Sequence, residues 1–81
     1  MELDIELFAG LIGNNPELPG YGKNVFCLET PEGLSIRELR NLLAIDPAVP
    51  LIVMVNNHHE KEDFVLQNGA RVAMFPPLGG G

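Results

Sequence analysis

Apolar and polar residues alternate from the first positions of the chain. Leu3, Ile5 and Leu7 fall on one face and Glu2, Asp4 and Glu6 on the other, the period-two pattern of a half-buried strand. Phe8 breaks the alternation by taking the polar face. A polar, glycine-rich connection over residues 10–23 follows, containing Asn14-Asn15-Pro16 and Pro19-Gly20-Tyr21-Gly22. It is long for a hairpin, and connections of this length are often functional or mobile. Residues 24–30 read as a second strand, with Phe26 and Leu28 on one face and Val25 and Cys27 on the other.

Pro31-Glu32-Gly33 ends that strand, and a helix then starts with a strong signal. Ser35 and Glu38 have the spacing of a capping box, in which each side chain satisfies the other's free backbone N–H. Ile36, Leu39 and Leu43 share a narrow arc of the helical wheel, opposite Arg37, Glu38 and Asn41. Asp46-Pro47 disfavours continuation, so the helix ends near Ala44. Leu51-Ile52-Val53-Met54-Val55 is too short and too β-branched for a helix and reads as a strand. Asn56-Asn57 is a turn candidate, residues 58–63 are polar with a short edge strand, and Phe64, Val65 and Leu66 return to the core. Asn68-Gly69 is a turn signal before a last strand, Arg71 to Phe75.

The predicted order is strand, strand, helix, strand, short strand, strand. One amphipathic helix covers one face of a four- or five-stranded mixed sheet, an α+β domain. The first and last strands lie centrally, side by side and parallel, with a crossover of the usual hand between the hairpins. The expected core is Leu3, Ile5, Leu7, Phe26, Leu28, Ile36, Leu39, Leu43, Ile52, Met54, Leu66, Val72 and Met74. Residues 1–75 form the domain and residues 76–81 a tail; there is no internal repeat.

Composition narrows the function classes. A chain of 81 residues suffices for one core and no second one. No apolar stretch reaches the ~18 residues of a membrane span, and the acidic start is opposite to a secretory signal. A net charge of −6 argues against nucleic acid, whose phosphates it would repel, and suits a basic protein partner. The single cysteine, Cys27, excludes an internal disulfide and fits a reducing cytoplasm.

The end of the chain carries the chemistry. In Pro76-Pro77-Leu78-Gly79-Gly80-Gly81 the prolines favour an extended path, and the glycines offer no side chain to a core. Six extended residues reach ~20 Å, at ~3.3 Å each, into a partner's active site. With the Phe8 strand, the helix capped at Ser35, Val55-Asn56 and Asn68-Gly69, the run from Val72 through Phe75-Pro76-Pro77 to Gly79-Gly80 resembles the MoaD/ThiS sulfur-carrier family of ubiquitin-like β-grasp proteins. Phe75-Pro76-Pro77 is most similar to the small subunit of molybdopterin synthase.

The resemblance implies that Gly80 or Gly81 carries a carboxylate that an ATP-using adenylyltransferase converts to an acyl-adenylate. Sulfide or persulfide from a sulfur donor enzyme then gives a thiocarboxylate. The third glycine leaves open which of the two is reactive. The resemblance further implies no cofactor bound by the chain itself, docking on the large catalytic subunit of a synthase, and contact through Phe8, Phe75, Pro76, Pro77, Leu78 and Gly79. The long 10–23 connection leaves a tungsten-cofactor, thiazole or other sulfur pathway open. A ubiquitin-like modifier would use the same terminus, although only Lys23 and Lys61 are available for chain building.

Other residues have plainer readings. His58-His59-Glu60 lacks the further ligands of a metal site and reads as an exposed turn. Cys27, between Phe26 and Leu28, reads as a small apolar filler rather than a persulfide relay. Gly20-Tyr21-Gly22 is too short for a phosphate loop. Phe8 and Phe75, with Val25 and Cys27 beside them, are expected to form an apolar patch on the sheet face away from the helix.

Overall fold

A computed structural model describes residues 1–77. Five strands and one helix follow in the predicted order: β1 (Glu2–Leu7), β2 (Val25–Glu29), α1 (Ile36–Leu42), β3 (Ile52–Val55), β4 (His58–His59) and β5 (Arg71–Phe75). They form one sheet in the order β2-β1-β5-β3-β4. β1 pairs antiparallel with β2 and parallel with β5, and β5 pairs antiparallel with β3. This is the ubiquitin-like β-grasp arrangement expected from the sequence, with α1 on one face.

Local sequence explains the turns that fix register. Asn56 and Asn57 both have positive φ (50° and 69°), which closes a two-residue hairpin with Val55 opposite His58. The Asn56 side chain also accepts the Arg71 N–H at 3.0 Å. Gly69 at φ 82° turns the chain into β5. There the Asn68 Oδ1 accepts the Glu2 N–H and the Gly69 N–H donates to Glu2 O, both at 2.7 Å. Those two bonds fasten the start of β1 beside the start of β5.

The helix forms as its capping signal requires. Ser35 Oγ accepts the Glu38 N–H at 3.2 Å, and the Glu38 carboxylate accepts the Ser35 N–H at 3.0 Å. The Ser35 backbone N–H, then its hydroxyl, holds the Glu38 carboxyl below its ordinary range. Ile36, Leu39 and Leu43 are buried against Leu3, Ile5, Leu7, Leu28, Val72 and Met74. Ala44, at φ 57°, ends the helix.

The connection at 10–23 is tied down rather than loose. Asn14 N–H donates to Leu43 O at 3.0 Å, and Asn15 Nδ2 donates to Leu42 O at 2.9 Å. Both bonds satisfy carbonyls that the helix end leaves free. Gly20 lies flat on the Phe26 ring, so close that a Cβ there would fall 2.4 Å from its carbons. Arg40, expected on no particular face, is buried. Its guanidinium donates to Glu62 Oε1 at 2.8 Å, to Asp46 O at 2.9 Å and to Val49 O, binding α1 to the segment before β3. Its Nε is buried without a partner.

Two assignments of facing are corrected. Val53 and Val55 point into the core, whereas Ile52 and Met54 lie half-buried on the opposite face. The run 51–55 is apolar throughout and has no alternation to read; pairing of Val53 with Met74 and of Val55 with Val72 sets its phase. Val65 is exposed, because it bridges Ser35 at the edge of the helix cap while Leu66 turns inward. Ile45 and Ala70 are buried although they were not expected in the core, and Phe26 is only partly buried.

Two substitutions test this packing. Leu39→Ala removes a fully buried side chain and is expected to cost about 2–5 kcal/mol in denaturant unfolding; an unchanged midpoint would contradict the helix phase. Gly20→Ala is expected to destabilise by about 1–3 kcal/mol through overpacking on Phe26. The double variant Gly20→Ala/Phe26→Leu should recover part of that loss.

Candidate functional site

The sheet has one face covered by α1 and one face open. Residues on the open face follow from the strand registers. Glu6 stands between Val25 on β2 and Ala73 on β5, and Ala73 stands opposite Met54 on β3. One step along, Phe75 stands opposite Ile52. The Phe8 N–H donates to Met74 O at 3.0 Å, extending the β1–β5 ladder past its last paired residues. Phe8 is thereby brought beside Phe75: the rings meet edge to face at 6.1 Å between centroids and 86° between planes, a favoured aromatic geometry.

The parallel pairing thus brings two residues from opposite ends of the chain together, as the sequence led one to expect. Phe8 remains 46% exposed, although its ring has an aromatic neighbour. Pro76 and Pro77 continue from Phe75, Pro76 half-buried and Pro77 exposed. Leu78, Gly79, Gly80 and Gly81, the remaining expected site residues, lie outside the described residues.

The apolar patch extends in a different direction from the one expected. Val25 and Cys27 share the open face with Phe8 and Phe75, but Glu6 and Asp4 of β1 stand between them and β5. The patch runs instead across β5 to Ile52 and Met54. A signal for this was present in the sequence. A strand apolar on both faces, in a sheet that has one helix to cover it, must leave one apolar face open.

Cys27 is exposed, not an apolar filler. Its thiol donates to Asp4 Oδ1 at 3.1 Å. That hydrogen bond, followed by the charges of Asp4 and Glu2, pushes the thiol above its ordinary value. The thiolate needed for sulfur relay is therefore disfavoured at neutral pH. His58 and His59 are both exposed, and no group of three metal-ligating side chains occurs among the described residues. Nor does any pocket occur among them. No helix among the described residues is long and apolar enough to cross a membrane. What the arrangement offers is a surface: an aromatic pair at the exit of a central strand, beside the segment that leads to the glycines.

Comparison with known proteins agrees with the architecture. The backbone resembles the crystal structure of SAMP1 from Haloferax volcanii with a TM-score of 0.69, at 18% identity over 100% of both chains. It resembles the solution structure of the HVO 2177 protein from the same organism with a TM-score of 0.72 and 20% identity, covering 100% of this chain and 87% of the other. A chain in the complex of subunits 1 and 2 of molybdopterin-converting factor from Helicobacter pylori 26695 matches with a TM-score of 0.61 and 16% identity, over 100% of both. These likenesses establish the fold. No curated protein matches the sequence. The model of the ThiS family, however, matches residues 13–81, the helix, the last three strands and the glycine run included. The chain therefore belongs to the ThiS family, the ThiS/MoaD-like group of sulfur carriers and ubiquitin-like modifiers.

Proposed function

We propose that this chain is a sulfur carrier for the synthesis of a molybdopterin-type cofactor of molybdenum or tungsten. The observation that carries the proposal is the path of the chain from β5. Phe75 meets Phe8 edge to face, and Pro76-Pro77 follows that contact in the sequence before Leu78-Gly79-Gly80-Gly81. The likeness to a chain of the Helicobacter pylori molybdopterin-converting factor complex supports a large synthase subunit as partner.

In this reading the protein is a co-substrate rather than an enzyme, and it binds no cofactor. The carboxylate of Gly81, or that of Gly80 once the Gly80–Gly81 peptide bond has been hydrolysed, attacks the α-phosphorus of ATP on a ubiquitin-activating-type adenylyltransferase, giving acyl-adenylate and pyrophosphate. Hydrosulfide then attacks the acyl carbon and expels AMP, leaving the thiocarboxylate and a proton. Where a persulfide of the sulfur donor enzyme attacks instead, a thiol must reduce the resulting acyl disulfide. Glycine suits both steps because a Cβ beside the acyl carbon would crowd the attacking atom. Phe8, Phe75, Pro76, Pro77, Leu78 and Gly79 make the contact that delivers the terminus.

Intact mass after incubation with the adenylyltransferase, ATP and sulfide tests the reading. A gain equal to one sulfur in place of one oxygen is expected. A ladder of conjugates to other proteins would instead mark a modifier, and an unchanged mass would refute both. Deleting Gly81 alone should abolish the gain if Gly81 carries the carboxylate and preserve it if Gly80 does. In neither case should thermal unfolding change.

Phe75→Ala should weaken binding to the large synthase subunit or the adenylyltransferase by about tenfold or more, as central aromatic anchors do. Titration calorimetry measures the affinity and a thermal melt checks the fold. Equal affinities would remove Phe75 from the contact, and loss of folding would show that its role is structural.

A further inference from the structure

Asn68 and Gly69 set the offset of β1 against β5, and the same two residues carry a reaction of their own. Of the seven asparagines in the chain, Asn68 is the one followed by glycine. The order matters because an asparagine side chain is open to attack by the backbone nitrogen of the next residue. Glycine has no Cβ to obstruct that approach, and its backbone turns most freely into the ring that results. Both residues are exposed, so water and base reach them.

In the folded domain each reacting group is already engaged. The Gly69 N–H donates to Glu2 O, and the Asn68 Oδ1 accepts the Glu2 N–H, both at 2.7 Å. A hydrogen bond to a carbonyl favours the protonated nitrogen, whereas attack requires the nitrogen without its proton. The second bond fixes the side-chain amide, which would have to rotate to be attacked. Around them the Ala70 N–H closes the turn on Gln67 O at 3.1 Å, and the Asp4 N–H joins the turn to β1 through Ala70 O at 2.9 Å. Glu2 thus clamps nucleophile and electrophile at once. Withdrawing the start of β1 releases both.

We propose that Asn68 is a site of spontaneous deamidation guarded by the clasp between β1 and β5. The reaction marks molecules whose first strand has come away, and its isoaspartyl product keeps them open. Gly69 N gives its proton to base and bonds to Asn68 Cγ. The adduct expels the side-chain nitrogen, which takes up a proton and leaves as ammonia. Water then opens the cyclic imide at the C–N bond of either carbonyl. Opening at the former side-chain carbonyl gives aspartate at position 68 with the chain path unchanged. Opening at the main-chain carbonyl gives isoaspartate, whose chain runs through the side-chain carbons. Water is the only co-reactant, and nothing is oxidised or reduced.

The two products differ in what they do to the fold. Aspartate keeps an oxygen where the Glu2 N–H needs an acceptor, and it places its new charge on an exposed turn. Isoaspartate inserts an extra main-chain atom just before β5, so the Gly69 N–H and the carboxylate at position 68 no longer meet Glu2 together. The offset that Phe8 and Phe75 inherit is then lost at its origin. None of this depends on sulfur transfer.

Peptide mapping of the full chain, aged in mildly alkaline buffer with and without urea, tests the proposal. In denaturing urea, position 68 should convert before any other asparagine, with isoaspartate as the larger product. In buffer alone the conversion should be about tenfold slower or more, because the clasp must open first. Leu3→Val trims a fully buried side chain of β1 and should raise the rate in buffer about threefold or more. Urea below the unfolding transition must speed the wild-type reaction in the same way, whether or not that variant folds. Asn68→Asp should melt as the wild type does, whereas the purified isoaspartyl form should melt lower and lose amide protection in β1 and β5. Equal rates in buffer and in denaturing urea would overturn the proposal. So would slower conversion in urea at position 68 than at another asparagine, or an isoaspartyl form as stable as the wild type.

Discussion

Two strands that are far apart in sequence lie side by side and parallel at the middle of the sheet, and most of what this protein offers a partner depends on that pairing. A parallel ladder cannot be closed by a tight turn, so its register must be set elsewhere. Here Asn68 and Gly69 bond the backbone of Glu2 before β5 begins. Every later pair along β1 and β5 inherits that offset, up to Phe8 beside Phe75. A slip of one residue would turn Val72 and Met74 out of the core and separate the aromatic pair from the open face. Core packing and site geometry are thus specified by one alignment.

The helix side is secured by polar contacts as much as by apolar ones. The carbonyls at the end of α1 are taken up by Asn14 and Asn15 from the long connection, and Arg40 gathers two backbone carbonyls and Glu62 beneath the helix. Removing Arg40 would leave those carbonyls short of a donor, a cost comparable to that of a buried cavity. The connection at 10–23 therefore acts as a strap over the end of the core, with Gly20 pressed against Phe26 where no larger residue fits. The open face can stay apolar in places because the fold does not rely on it.

Much of this was legible in the sequence where a local rule determines the outcome. The alternation of Leu3, Ile5 and Leu7, the Ser35–Glu38 box and the Asn68-Gly69 turn each fix structure over a few residues, and each appears as read. The phase of Leu51–Val55 did not, because five apolar residues in a row carry no period; only pairing with β5 assigns their faces. Burial of Arg40 was also hidden, since its carbonyl partners lie on a segment whose path depends on the helix end. Phe8 and Phe75 were readable as a pair because parallel strands with matched exits place them together. The extent of their patch was not, because it depends on the misphased strand and on the acidic residues of β1 between β2 and β5.

The placement of β5 between β1 and β3 has a further consequence for how the chain reaches its fold. β1 and β2 can form a hairpin early, and α1 can nucleate from its own cap, yet neither finds its full core until β5 arrives between the two hairpins. Nearly the whole described chain must be synthesised before that central slot is filled. Until then β1 shows a row of unpaired backbone groups and an apolar flank, the kind of edge to which other chains add. Folding dominated by so distant a pairing is slow relative to helical domains of similar size. The newly made protein is thus most exposed to aggregation, and to capture by chaperones, in the interval just before its last strand is delivered.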